Sequence, residues 1–228
     1  MIASPASDTG LGADETLDGL RLRLAPLVAA NAAFDGWTKD AVAMAADAAG
    51  VDRDIAALAF DGGPMAMIDA WFGAIDVAML VRFAPGALEA MKIRARITAL
   101  VEARLDILAP HREALRRAQA ILAMPANVTA AAKLGWRAAD IMWRAAGDTA
   151  ADYNHYTKRA TLGTVYAATM LVFVNDESED HADTHAFLAR RIEGILRFEK
   201  VKAQLTPDAD QHFSMARFLG RLRYRGQR

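Results

Sequence analysis

Apolar residues recur along most of the chain at intervals of three and four positions, the spacing of one face of an α-helix. No stretch alternates apolar and polar residues with the enrichment in β-branched residues that is typical of a strand. The pattern therefore predicts an all-α protein of about ten helices. Glycines, prolines and capping residues place them at residues 16–33, 38–49, 52–60, 64–83, 87–109, 110–124, 126–146, 150–174, 180–204 and 207–225.

The same helix boundaries divide the chain into four parts. Residues 1–15 hold serine, proline, glycine and acidic residues, and we expect a disordered tail. Residues 16–62 join short helices through a glycine turn, as in a helix-turn-helix. Residues 63–205 make up a helical core, and residues 206–228 form a basic amphipathic helix. The longest uncharged run, 160–175, is shorter than the roughly 18–20 residues of a spanning helix, so we expect none.

Composition narrows the class of protein. Apolar residues make up 54% of the chain and charged residues 24%, which is typical of a globular protein. The net charge of −1 gives no general attraction to nucleic acid or anionic membranes. The absence of cysteine excludes disulfides, thiol nucleophiles and cysteine–zinc sites. The first residues have the layout of neither a secretory signal nor a mitochondrial transit peptide.

Candidate chemistry is sparse. His181 and His185 lie four residues apart among acidic residues, a spacing that could hold a metal ion. An acid-rich helix start with exposed histidines explains the same pattern, and we favour it because no third ligand has a matching spacing. No nucleophile elbow, phosphate loop or dinucleotide fingerprint occurs. We therefore expect no enzyme activity, no metal and no cofactor.

The helix-turn-helix part carries the wrong charge for DNA. The segments Gly36-Trp37-Thr38 and Ala48-Ala49-Gly50-Val51-Asp52 resemble the N-terminal domain of TetR-type regulators. Contacts to DNA phosphates need lysine and arginine. Between residues 37 and 62 the only basic residues are Lys39 and Arg53, against five aspartates, a balance of −3: Asp40, Asp47, Asp52, Asp54 and Asp61. We therefore expect no nucleic-acid partner.

The densest polar and aromatic cluster occupies residues 147–159. Thr149 and Asp152 have the spacing of a capping box that opens a helix. Asp152, His155 and Arg159 then share one stripe of that helix. A solvated first turn is enough to explain the cap. A functional surface better explains why polar and aromatic residues crowd positions 153–156. Both interpretations stay open.

The uncharged segment that follows could be core or the wall of a ligand pocket. Its apolar face includes two sparse polar groups, which apolar ligand sites also contain. Methionine adds an adaptable side chain. This face consists of Leu162, Val165, Tyr166, Thr169 and Phe173, with Met170 at its edge.

Two further surfaces suggest contacts. Trp136 and Trp143 share a polar face with Asp140, as at protein interfaces, although packing against a neighbouring helix is an equal alternative. The last helix has an apolar face and an arginine face, typical of a membrane-surface or partner-groove element. The alternative is docking on the protein's own core. The residues concerned are Met215, Phe218, Leu219 and Leu222 on one face and Arg217, Arg221 and Arg225 on the other.

Three motifs together resemble the Coq-nine family of ubiquinone-biosynthesis accessory proteins. They are Asp140-x-x-Trp143-Arg144-x-x-Gly147-Asp148, Asp152-Tyr153-Asn154-His155-Tyr156-Thr157-Lys158-Arg159 and Asp183-Thr184-x-x-Phe187-Leu188-x-x-Arg191. The likeness extends over residues 17–222 and is most specific at 143–159. It implies a TetR-like, all-helical homodimer that binds isoprenoid quinone intermediates and assists the di-iron demethoxyquinone hydroxylase, Coq-seven.

The resemblance also assigns roles to residues. It implies that the hydroxylase-facing patch is Trp143, Asp152, Asn154, His155, Tyr156, Thr157 and Arg159. The stripe at 162–173 would bind the lipid, and the last helix would bind the membrane. Animal members carry tryptophan where this chain has His155, so the aromatic anchor differs. We expect a bacterial form at the cytoplasmic face of the inner membrane; the alternative is a TetR-type transcription regulator that senses a hydrophobic ligand.

Overall fold

The computed structural model describes residues 15–149 and 153–205. These residues form nine α-helices joined by turns and three short 3-10 helices, and none of them lies in a strand, which confirms the all-α prediction. The helices are α1 Leu17–Asp35, α2 Lys39–Ala49, α3 Arg53–Ala59, α4 Gly63–Val81, α5 Ile93–Leu108, α6 Arg112–Leu122, α7 Val128–Ala145, α8 Tyr153–Val174 and α9 Ala182–Leu205. Residues 1–14 of the predicted tail, Asp152 and the predicted last helix lie outside the described residues.

Local capping residues determine the start of α1 and both ends of α2, as the sequence predicts. The Thr16 hydroxyl accepts the Gly19 amide at 3.2 Å, and the Thr38 hydroxyl accepts the Ala41 amide at 3.3 Å. Gly50 ends α2 in the left-handed conformation, with φ of 65°. These caps satisfy amide groups that lack partners inside the helix, so α1 and α2 begin at the residues after the caps.

The predicted helix over residues 87–109 is wrong in its first turns. Residues 84–91 form successive turns, and α5 begins only at Ile93. The Arg96 guanidinium donates to the Glu89 carbonyl at 2.9 Å, the Met91 carbonyl at 2.9 Å and the Ala146 carbonyl at 2.8 Å. One arginine thus satisfies backbone groups that a helix would otherwise pair, which stabilises the turns.

Helix α4 corrects the expectation that no helix could span a membrane. By length and composition it could do so, although Asp69 and Asp76 interrupt its apolar sequence. Its buried residues include Trp71 and Asp76, and it packs against α1, α5 and α7. We therefore interpret α4 as the central helix of the core.

The core continues from the helix-turn-helix part into the rest of the fold. Trp37 and Trp71 pack with their ring centroids 5.2 Å apart, and the Trp37 indole donates to the Ala114 carbonyl at 3.2 Å. Helix α1 packs against α2, α4 and α6, whereas α7 pairs mainly with α8 and α8 with α9. The α7–α8 pair thus lies on the side of the fold away from the helix-turn-helix.

Candidate functional site

Helices α7 and α8 approach closely at two glycines. A Cβ atom added at Gly163 would lie 3.3 Å from the Gly135 carbonyl oxygen, so glycine at 163 allows the backbones to meet. Beside this crossing the helix pair carries two features of interest. One is an apolar cavity, and the other is a group of exposed aromatic rings.

The cavity has a volume of about 240 Å³ and lies between four helices. Its wall includes Phe72 from α4, Leu122 from α6, Leu134 and Ala138 from α7, and Tyr166 and Met170 from α8. It reaches the surface beside Ala167 and Leu171, the latter 59% exposed. An apolar cavity with few polar groups that opens to solvent is a typical site for an apolar ligand.

Of the predicted lipid-binding residues, only Tyr166 and Met170 line this cavity. The other four are buried but do not line it: Leu162, Val165, Thr169 and Phe173. The Thr169 hydroxyl donates to the Val165 carbonyl at 2.7 Å, so its hydrogen is already used within the helix. The stripe is therefore largely core, and the cavity uses only one edge of it.

Sequence reasoning missed the cavity walls on the other helices. Phe72, Leu122 and Leu134 each lie on an apolar helix face like many others in this chain. Periodicity identifies such a face but not which faces meet around a void. Leu134 also lines a second, more polar cavity of about 450 Å³ beside Asp69, Lys133 and Arg137.

A buried polar chain runs from α4 to the cavity wall. The Arg104 guanidinium, 0% exposed, donates through Nη1 to the Asp76 carboxylate and through Nε to the Tyr166 hydroxyl at 2.9 Å. Arg137 Nε lies 3.2 Å from the other Asp76 oxygen. Charges in an apolar core are tolerated only when paired, so these contacts fix the position of Tyr166.

A second ion cluster lies beneath the predicted partner surface. Arg159 Nε donates to Asp140 at 2.6 Å, and its Nη1 lies 3.1 Å from Asp148. Arg144 also pairs with Asp140, and Lys158 with Asp148. Although burial alone would raise them, hydrogen bonds from these cations lower the pKa of Asp140 and of Asp148 below the ordinary value.

This cluster corrects the role expected of Arg159. The Arg159 side chain is 1% exposed and donates hydrogen bonds to Asp140, Asp148 and the His155 carbonyl. It therefore cannot serve as a surface contact in this structure. Its position instead holds the first turns of α8 against α7.

Trp143 also has a positioning role in the structure. Its indole nitrogen donates to the Lys158 carbonyl at 3.0 Å, and the Lys158 ammonium lies 5.3 Å from the centroid of its ring. The half-buried ring packs against the core and bridges α7 to α8. Packing against a neighbouring helix, the alternative considered from the sequence, is thus what this tryptophan does.

The exposed aromatic cluster consists of Trp136, His155 and Tyr156. Tyr156 is 62% exposed and Trp136 37%, and their ring centroids lie 6.0 Å apart. His155 lies 5.1 Å from Tyr156 and 6.5 Å from Trp136. The structure thus groups two residues of the predicted patch with Trp136, which the sequence places on a possible interface face but which the family resemblance does not assign to the patch.

The remaining patch residues contribute less to this surface. Asp152 lies outside the described residues, and Asn154 is described only in its backbone. Thr157 is half-buried. The exposed part of the described patch is therefore aromatic, and the charged part lies beneath it.

The histidines of the α8–α9 connection take local contacts. His185 lies 3.3 Å from Glu102, and His181 packs its ring against Phe173 with centroids 4.8 Å apart. No group of three or more possible metal ligands converges within the described ranges 15–149 and 153–205. Asp176 organises this connection by accepting hydrogen bonds from the amides and hydroxyls of Ser178 and Thr184.

The helix-turn-helix part exposes its acidic residues. Lys39 and Arg53 are exposed as well, but Arg53 is paired with Asp47 at 2.8 Å. The surface that would face a nucleic acid therefore has excess negative charge, as the sequence indicates. Between residues 37 and 62 the exposed aspartates are Asp40, Asp47, Asp52, Asp54 and Asp61.

The fold resembles that of a solved crystal structure. The crystal structure of a TetR transcriptional regulator from Nitrosomonas europaea superposes with a TM-score of 0.60 at 25% identity. The match covers 76% of this chain and 96% of that one. The fold is therefore TetR-like, as the first helices predict.

Sequence relatives share the segment that carries the site. Residues 128–199, which include α7 and α8, match the model of the COQ9 family. The rat mitochondrial ubiquinone biosynthesis protein COQ9 is 32% identical over 75% of this chain and 56% of its own length. The human protein of that name is 38% identical over 46% of this chain and 33% of its own.

The chain spans about half the length of the curated relatives that it matches most extensively. The bovine mitochondrial protein, for example, is 32% identical over 75% of this chain and 55% of its own length. The motifs, the match of residues 128–199 to the family model and the fold agree in one respect: the chain is similar to the COQ9 family.

Proposed function

We propose that this chain is a non-enzymatic accessory protein of ubiquinone biosynthesis that binds an isoprenoid quinone intermediate and presents it to the di-iron demethoxyquinone hydroxylase. The observation that carries the proposal is the apolar cavity between α4, α6, α7 and α8. The names of the curated relatives support the pathway. The chemistry of the cavity wall supports the ligand class.

The proposed function requires the protein to shield an apolar ligand from water. Each methylene group moved from an apolar site into water costs about 0.8 kcal/mol, so an isoprenoid tail needs a continuous apolar path. The cavity of about 240 Å³ is smaller than the roughly 300–1,000 Å³ of sites that enclose a drug-sized ligand. It therefore takes one end of the molecule, and the rest extends past Ala167 and Leu171.

The aromatic cluster is the proposed contact for the hydroxylase. Trp136 directly follows Gly135, which lines the cavity, so the two surfaces adjoin on α7. Tyrosine and tryptophan are enriched among the residues that dominate binding energy at interfaces. A partner docked on Trp136 and Tyr156 would lie next to the bound lipid.

Removing either aromatic ring tests the partner surface. We expect Trp136→Ala and Tyr156→Ala to weaken binding of the purified hydroxylase by about tenfold or more, because a central aromatic contact contributes about 2 kcal/mol. Phe34→Ala is the matched control, since Phe34 is 83% exposed on α1. Equal binding by all three variants and the parent protein, measured by surface plasmon resonance, would remove the interface.

The membrane contact is proposed from sequence alone. Apolar side chains of residues 206–228 would insert about 5–10 Å into the headgroup region, and the arginines would face the anionic surface. Replacing Phe218 and Leu222 together by serine spares every arginine. We expect the double variant to lose liposome binding at high salt; unchanged flotation would remove the membrane role. The homodimer is likewise proposed from the family.

A transcription regulator is the second candidate, because the matched crystal structure bears that title. The exposed acidic residues of α2 and α3 argue against it, since DNA affinity comes largely from basic contacts to phosphate. A DNA mobility shift in low salt that disappears in high salt would favour the regulator. We expect no shift.

A further inference from the structure

The last two turns of α4 expose an apolar stripe. Val77 is 52% exposed, Leu80 45% and Val81 79%, and their spacing of three and four residues places them on one side of the helix. Ile75, on the other side of the helix, is buried in the core. Large apolar side chains that are exposed beside one another mark a contact surface, whereas single ones do not.

Helices α4 and α5 run antiparallel. Asp76, in the second half of α4, binds Arg104 near the end of α5. Trp71, five residues earlier, meets the ring of His111, which lies just beyond the end of α5. The last turn of α4, with its apolar stripe, and the first turn of α5 therefore lie at the same end of the fold.

Arg96 fixes the connection between these two helices. Its guanidinium donates to the carbonyls of Glu89 and Met91 and to that of Ala146, just after α7. Met91 and Ile93 are exposed on this connection and at the start of α5. The apolar residues of this end thus belong to parts of the chain that are hydrogen-bonded to the rest of the fold. We call them the end surface: Val77, Leu80, Val81, Met91 and Ile93.

Basic residues accompany the end surface. Lys92 and Arg94 are exposed, and neither forms an ion pair with the residues that the structure describes. Arg82 is exposed as well and pairs with Asp106 at 3.1 Å. From Val77 to Arg94 the chain has three basic residues and one acidic residue, a charge of +2, although its net charge is −1. The end surface is therefore both apolar and cationic.

The opposite end of α4 carries excess negative charge. This helix begins directly after the helix-turn-helix part, whose exposed aspartates lie on and beside α2 and α3. With 19 residues, α4 is about 28 Å long, which separates those aspartates from the end surface. An anionic surface would therefore attract one end of the molecule and repel the other.

The chain also leaves the described residues on the side of the end surface. Helices α8 and α9 pack against each other and are joined by the short connection 175–181, so they run antiparallel. Leu205, at the end of α9, therefore lies towards the start of α8, the side that holds Ala146 and its contact with Arg96. Residues 206–228, for which a membrane contact is proposed from the sequence, follow from there.

We propose that the end surface is a membrane contact of the folded core, in which Val77, Leu80 and Val81 enter the headgroup region of an anionic bilayer. Lys92 and Arg94 lie against the lipid phosphates. Apolar insertion together with cationic attraction is how proteins bind a membrane surface without crossing it. The inference goes beyond the proposed function, since it needs neither the cavity nor residues 206–228. It also orients the molecule, with the helix-turn-helix part away from the bilayer.

Replacing the two most exposed residues of the stripe tests the insertion. We expect Val77→Ser with Val81→Ser to weaken binding to vesicles of equal parts phosphatidylcholine and phosphatidylglycerol by about tenfold or more. The loss should persist at high salt, because apolar contact is not screened. Met124→Ser with Val128→Ser is the matched control, since these residues are 52% and 56% exposed near the start of α7, away from Ala146. Co-sedimentation of the full chain with the vesicles measures both.

A second pair of substitutions tests the electrostatic part. We expect Lys92→Gln with Arg94→Gln to weaken binding to the same vesicles by about tenfold or more at low salt. High salt, or vesicles of phosphatidylcholine alone, should remove this difference. Lys39→Gln with Lys133→Gln changes the net charge equally at two exposed positions elsewhere and should have a much smaller effect.

The measurements at low salt are repeated in a chain that also carries Phe218→Ser and Leu222→Ser, which separates the end surface from residues 206–228. The end-surface substitutions should weaken binding there by a similar factor. Binding of Val77→Ser with Val81→Ser that equals its control overturns the inference. If that variant instead loses an oligomer in analytical ultracentrifugation and binds vesicles normally, the end surface is a contact between copies and the inference is equally wrong.

A spin label reports the contact without weakening it. The chain has no cysteine, so Val81→Cys provides a single site for a nitroxide. On vesicles, paramagnetic resonance should show this label becoming more accessible to oxygen and less accessible to an aqueous nickel complex. A label at Val128→Cys should stay accessible to nickel. A label at position 81 that stays as accessible to nickel on the vesicle as in solution overturns the inference.

Discussion

At the scale of single residues, the sequence motif near the aromatic cluster suggests that its charged side chains contact a partner. In the fold, Arg159 forms buried ion pairs instead. Arg159 shares a stripe with His155, which made it a plausible surface contact. In the fold it is buried between Asp140 and Asp148. Helical spacing predicts which residues share a face, but only packing against α7 determines which of them is covered.

Two arginines that pair with Asp140 should therefore differ in effect. We expect Arg159→Ala to lower the free energy of unfolding by on the order of 3 kcal/mol, because it leaves buried carboxylates with fewer partners. Arg144→Ala should cost less than about 1 kcal/mol, since Arg144 is exposed. Denaturation in urea measures both; equal costs would contradict the buried role of Arg159.

Asp176 makes stability depend on pH at acid values. Although burial alone would raise it, hydrogen bonds from Ser178 and Thr184 hold the pKa of this carboxyl far below its ordinary value of 3.8. The contribution of the Asp176 carboxylate to the free energy of unfolding is therefore complete above pH 3.8. It is lost as the pH falls from there towards the lower pKa of the folded protein.

We expect Asp176→Asn to cost about 1–3 kcal/mol at neutral pH, because an amide cannot accept all four hydrogen bonds. The difference from the parent protein should shrink between about pH 4 and about pH 2. Urea denaturation at several pH values measures it. A difference that stays constant over this range would show that the carboxylate charge is not what stabilises the turn.

At the scale of helices, the sequence predicts ends well where the chemistry is local. Thr16, Thr38 and Gly50 act on their own or the next turn, so their positions in the sequence suffice. The start of α5 could not be found in this way. Arg96 satisfies the carbonyls of residues 89, 91 and 146, and the last of these is fifty positions away.

The α7–α8 crossing depends on a glycine whose role periodicity does not reveal. A Cβ at Gly163 would meet the Gly135 carbonyl at 3.3 Å, whereas a Cβ at Gly194 in α9 would meet no atom within 4 Å. We expect Gly194→Ala to raise the free energy of unfolding by about 0.5–1 kcal/mol through helix propensity. The free energy of unfolding of Gly163→Ala should be lower than that of Gly194→Ala by about 1 kcal/mol or more, because of crowding at the crossing.

Chemical denaturation of the two glycine variants gives the comparison directly. Because both replace a helical glycine by alanine, the propensity gain cancels between them. The remaining difference reports the crowding at Gly135 alone. Equal gains would mean that the helices do not meet closely at this point.

At the scale of the whole molecule, the fold could be predicted but the binding cavity could not. The order of caps and turns in α1–α3 is enough to indicate a TetR-like start, and the aspartates on it are enough to argue against DNA. The cavity depends on how side chains from four helices fail to fill the space between them. No single stretch of sequence carries that information, which is why only Tyr166 and Met170 were found.

The two surfaces together account for the proposed function. The cavity would hold one end of an apolar ligand, and the aromatic cluster beside it would hold the enzyme that receives the ligand. Helices α7 and α8 carry the whole aromatic cluster and two thirds of the residues in the cavity wall, and both lie within the segment that matches the COQ9 family. The remaining helices position this pair and leave the acidic helix-turn-helix at the far side.

Native mass spectrometry of the purified full chain, followed by lipid extraction, tests the central claim most directly. We expect the parent protein to carry an isoprenoid quinone or to take one up. Gly135→Leu should stay folded but empty, because Gly135 lines the cavity and has room for a larger side chain. Gly194→Leu, the control in α9, should bind like the parent. A parent protein that neither carries nor takes up quinone, or a Gly135→Leu variant that binds as much as the parent, would contradict the account.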